Sequence, residues 1–106
     1  MIDESRLHKA LTYLATTDEP CATLKTDMER AEFKAKATKD AMFKRLDGSV
    51  ADRTAEAGAS PEYGAAMEAY FSRLAEYEAM RNKRGTEAIV VEVWRSLNAA
   101  RRHGNV

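Results

Sequence analysis

The chain has a single cysteine, Cys21, so it cannot close a disulfide within itself, and no cluster of Cys and His stands at metal-ligand spacing. Its only histidines are His8 and His103, each near one end, which argues against a histidine acid–base or nucleophile mechanism. No glycine-rich phosphate loop and no dinucleotide fingerprint occurs. Acids such as Glu76 and Glu78 are two positions apart and point to different sides of a helix, so they cannot converge on one substrate atom. These absences predict a protein that is not an enzyme, with no catalytic residue, no metal site and no cofactor. Ala88–Val91, the longest apolar stretch, is far too short to span a bilayer, and MIDESRLHK is charged where a secretory leader needs an apolar run. A cytoplasmic protein without a membrane partner is expected.

Helix breakers are also scarce: two prolines and five glycines in 106 residues. Their positions, read as punctuation, predict one all-α domain over 1–106 with helices at about 4–15, 19–46 and 61–103. Asp3 would cap the first. Thr16 to Pro20 reads as a second start, with Asp18 accepting free backbone N–H groups and proline tolerated in the first turn. Along the second helix Cys21, Leu24, Met28, Ala31, Ala35, Thr38 and Met42 alternate steps of three and four, a coiled-coil-like seam made mostly of small residues. Asp47, Gly48 and Ser49 stop that helix, and an alanine-rich connection leads to Ser60, Pro61 and Glu62, a well-formed start for the third. There Tyr63, Met67, Tyr70, Leu74 and Tyr77 form a bulky stripe that complements the small seam. The predicted architecture is a long antiparallel helical hairpin, with a short N-terminal helix folded back on the C-terminal half of the third. Gly85 is the one weak point of that third helix.

Seventeen basic residues balance seventeen acidic ones, so the chain as a whole has no field favouring a polyanion. The charge is nevertheless segregated. Residues 25–46 carry seven basic and four acidic side chains, net +3, and residues 49–80 carry two and six, net −4. Residues 81–106 carry six and two, net +4, and make Arg81, Lys83, Arg84, Arg95, Arg101 and Arg102 the candidate nucleic-acid contacts. The competing reading is that these cations complement the helix dipole or pair with neighbouring acids. Beyond Gly85 the apolar face widens to include Ile89, Val90, Val93, Trp94 and Leu97, more than one neighbouring helix covers. These five are the candidate interface for a second copy or another protein.

The segment EYEAMRNKRGTEAIVVEVWRSLNAARR at 76–102, with SPEYGAAMEAY before it and LATTDEPCATLK upstream, resembles small helical proteins encoded by bacteriophages and prophages near single-strand-annealing recombination genes. The resemblance implies a non-enzymatic accessory or adaptor of phage DNA recombination or replication in a bacterial host cell, acting on a protein partner, with DNA as a second candidate ligand. An inhibitor of a host nuclease or defence protein and a purely structural homo-oligomer are the alternatives.

Overall fold

The computed structural model describes residues 2–104; Met1, Asn105 and Val106 lie outside the described residues. Within that range the chain is all-α, in the order α1 (Glu4–Arg45), α2 (Val50–Gly58) and α3 (Pro61–Arg102). Both long helices have 42 residues. Asp3 starts α1 as expected, its Oδ1 accepting the Arg6 N–H at 2.8 Å. Ser60 starts α3, accepting the Tyr63 N–H at 3.2 Å while its hydroxyl donates to the Ala57 carbonyl at 2.8 Å. The alanine-rich connection holds a complete short helix, α2, whose cap Ser49 accepts from the Asp52 N–H at 3.1 Å. Gly48 makes the turn ahead of it at φ +114°, a backbone conformation that side chains with a Cβ rarely adopt.

The separate N-terminal helix, and with it the break between 15 and 19, is corrected: α1 runs unbroken through Pro20. The physical reason lies in the phase of burial. Leu7, Ala10, Leu14, Thr17 and Cys21 continue the three-four spacing of Leu24 to Met42, and none of these residues is exposed. A break at Thr16–Pro20 would rotate one half of this seam away from its partner. Proline inside a helix costs about 3 kcal/mol through its missing N–H and the clash with the carbonyl four residues back, yet Pro20 stands on the exposed side. Nearby carbonyls gain side-chain donors: Thr16 Oγ1 to Thr12 O at 2.8 Å and Thr17 Oγ1 to Tyr13 O at 2.6 Å. Asp18, expected as a cap, instead pairs with Arg84. Gly85 does not interrupt α3.

The contacts divide the chain into two units, a central one (Thr23–Tyr77) and a terminal one built from residues up to Ala22 and from Glu78 onward. In the central unit the small α1 seam meets the bulky α3 stripe, with no residue of either fully exposed and Ala35 completely buried. Lys39 lies over the Tyr63 ring, while Ala31 shares a groove with Ala66 and Ala69, so the pairing is antiparallel. Arg53 of α2 donates to the Phe43 carbonyl at 3.2 and 3.3 Å and stacks on the Phe43 ring, which satisfies a carbonyl in the last turn of α1. In the terminal unit Arg6 pairs with Glu87 and Tyr13 lies under Lys83, again antiparallel.

The half-buried positions of α3 include the series Tyr63, Met67, Tyr70, Leu74 and Tyr77, then Met80, Arg84, Glu87, Val91, Trp94 and Asn98. Two consecutive steps of three, Leu74 to Tyr77 to Met80, shift the seam at the point in the sequence where the units divide. Among the described residues the completely buried apolar side chains are all alanine, at 10, 35 and 57. A helix pair covers each large side chain from one side, and every larger apolar residue among those described keeps some contact with solvent.

Candidate interaction surface

In the terminal unit polar groups are set into the seam. Arg84 occupies a core-facing position of α3, and its guanidinium donates to the Leu14 carbonyl at 2.8 Å, to Thr17 Oγ1 at 2.6 Å and to Asp18 Oδ1 at 3.3 Å. Its side chain is only 22% exposed, so most of its donors are spent on α1. The Asp18 arm is the weakest, because that carboxylate is 84% exposed and solvent screens the pair. The Leu14 and Thr17 arms work at closer range and in less water.

The other cations of the C-terminal set are placed as follows. Arg81 reaches Glu78 at 3.5 Å and Arg95 reaches Glu92 at 3.2 Å, both three residues apart on α3. Lys83 sits 4.6 Å from the Tyr13 ring centroid. Arg101 lines a corner with Ile2, Asp3, Glu4, Trp94 and Asn98, and Arg102 ends α3 on the exposed side. The six are not gathered on one face, since Arg84 turns inward while Arg81, Arg95 and Arg102 are exposed.

The five apolar candidates also separate. Trp94 is half-buried in the corner with Ile2, and Val90 is half-buried as well. Ile89, Val93 and Leu97 follow each other at four-residue steps and are 65%, 42% and 39% exposed. They form a row along two turns of α3 that the chain's own packing leaves open. Leu11 of α1, 47% exposed, is a further open apolar side chain of this unit.

A second cluster, in the central unit, escaped the sequence reading. Arg30 and Lys34 of α1 and Arg73 of α3 line a groove of about 340 Å³ together with Ala31, Ala66, Ala69 and Asp27. Beside it Phe33 is 73% exposed, set among Thr26, Glu29 and the stems of Arg30 and Lys34. The net +3 of residues 25–46 was the only signal, and it did not say that Arg73 would join from the other helix. On the opposite flank, burial first, then the nearby Glu32 carboxylate, raises the Tyr70 pKa above the ordinary tyrosine value, with Lys36 opposing.

Among the described residues no group of three or more His, Cys, Asp or Glu is arranged to hold a metal ion, and no helix is long and apolar enough to cross a membrane. Cys21 takes its place on the α1 seam, half-buried. No protein-family model, curated protein or solved structure matches this chain.

Proposed function

We propose that the chain is a non-enzymatic accessory or adaptor of phage DNA recombination or replication, working in the cytoplasm of the bacterial host by presenting one face of α3 to a protein partner. The observation that carries this reading is the open row Ile89, Val93 and Leu97. Apolar side chains spaced four apart on a rigid helix are what a hydrophobic groove on a partner recognises. Leaving them in water forgoes roughly 1.5–3 kcal/mol for each side chain that a partner would bury completely. The setting in phage DNA metabolism rests on the resemblance of residues 76–102. A homo-oligomer is the second reading, favoured by the same row and by completely buried apolar side chains that, among the described residues, are all alanine.

The test is co-expression of the chain with the products of its neighbouring genes, as wild type and as the Ile89→Lys/Val93→Lys double variant, with helicity checked by circular dichroism. Stoichiometric retention of one neighbouring product by the wild type, lost in the double variant, is the expected result. Retention of none by a monomeric wild type overturns the adaptor. A wild-type dimer by light scattering that retains nothing else, and that the double variant dissociates, replaces it with the structural oligomer.

A further inference from the structure

We propose that the groove flanked by Arg30, Lys34 and Arg73 binds single-stranded nucleic acid, with the three cations on successive phosphates and Phe33 stacked on a base. The inference goes beyond the adaptor reading. It concerns the central unit and makes no use of the Ile89–Leu97 row.

Three observations carry it. First, these cations are available. The side chains of Arg30 and Lys34 form no ion pair or hydrogen bond with any described residue, and Arg73 has only a 3.5 Å contact with Glu76, both half exposed. By contrast Arg84 is held by α1, and Arg81 and Arg95 each have an acid on the same helix. Second, the cations line one groove from two helices, and three of its other lining residues, Ala31, Ala66 and Ala69, are small enough to leave room for a phosphodiester backbone. Third, Phe33 is the most exposed large apolar side chain of the described residues and borders two of the cations. Phosphate contacts from Arg and Lys combined with an exposed aromatic platform are the means by which proteins hold single strands without reading their sequence.

The acids nearby set limits that can be tested. Asp27 lines the groove and Glu29 borders Phe33, so one carboxylate opposes three cations in the groove itself. Duplex DNA would engage the cations but offers Phe33 no unstacked base, which separates strand binding from plain attraction to a polyanion.

The experiment is fluorescence anisotropy with a labelled poly-dT strand and a labelled duplex of the same length, over a salt series, on the full chain. Three phosphate contacts predict that log Kd rises with log salt at a slope of about 2 for the single strand. Arg30→Ala/Lys34→Ala should weaken binding at least about ten-fold and lower that slope by about 1.4. Phe33→Ala should weaken the single strand about ten-fold with the slope unchanged, Phe33→Tyr should restore it, and the duplex should not respond to either. Asp27→Asn should tighten binding several-fold. All of these positions except Asp27 are exposed, and circular dichroism shows whether each variant stays folded. Absence of binding overturns the proposal. So does binding that ignores Phe33→Ala, or binding that survives Arg30→Ala/Lys34→Ala and is lost in Arg101→Ala/Arg102→Ala.

Discussion

The two units solve the same packing problem with different chemistry. Both are antiparallel helix pairs seamed at three-four spacing on α1. In the central unit the seam is largely apolar, with Leu24, Met28, Ala31, Ala35, Thr38 and Met42 on α1 and Tyr63, Met67, Tyr70, Leu74 and Tyr77 on α3. In the terminal unit it is crossed by Arg84 and bordered by the Arg6–Glu87 pair, whose acid side chain is 13% exposed. Apolar seams are stabilised in proportion to area and tolerate small shifts in register. Charge-assisted hydrogen bonds of fixed geometry contribute less area but accept only one register. The terminal unit is therefore the one whose alignment is specified, and the central unit the one whose stability comes from burial.

The largest expected effect tests the polar half of this contrast. Arg84→Met keeps the aliphatic stem but leaves Thr17 and the second lone pair of the Leu14 carbonyl without their donor, which should cost about 2–3 kcal/mol in urea unfolding. A cost near zero would mean that the terminal unit is held by its apolar residues after all, and the contrast would fail. Next comes the apolar half. Ala35 is 1% exposed, so Ala35→Leu has no room to enter and should destabilise by about 2 kcal/mol through overpacking. Stabilisation would show that the central seam is loosely packed and that small residues are not required there.

The smallest effect sharpens the comparison within the central unit, through Tyr70. Its pKa is raised by burial and by Glu32, so the neutral phenol is favoured by the fold. The sign follows: this contribution is fully present below the ordinary tyrosine pKa, near 10, and disappears as pH rises through the higher folded value. Ultraviolet titration should show one tyrosine ionising late, and Glu32→Gln should bring it closer to the ordinary value while burial keeps it above. No change in Glu32→Gln would leave burial as the only cause.

Much of this was legible in sequence, and the remainder was hidden for identifiable reasons. The caps at Asp3 and Ser60 follow from residue type, and the match of a small seam with a bulky stripe follows from periodicity. The continuity of α1 is harder to read, because Thr16–Pro20 has the composition of a helix start. The unbroken spacing of Leu7, Ala10, Leu14, Thr17 and Cys21 was the stronger signal, since burial of a whole face outweighs one lost backbone hydrogen bond. Arg84 stands among the candidate nucleic-acid contacts in sequence because a lone arginine carries no mark of the carbonyl it will meet on another helix. The same limit concealed the central groove: Arg73 is far from Arg30 and Lys34 in sequence, and only antiparallel pairing brings them together. The row at Ile89, Val93 and Leu97 was visible as surplus apolar face, but which of its neighbours turn inward was decided by the corner that receives Trp94.

That corner has a practical consequence. Trp94 is the only tryptophan of the chain and belongs to the terminal unit, while three of the four tyrosines, Tyr63, Tyr70 and Tyr77, belong to the central one. Indole emission therefore reports on the terminal unit alone, and tyrosine emission mainly on the other. Each half of the molecule carries its own optical label, so loss of structure in one can be followed separately from loss in the other without adding a dye.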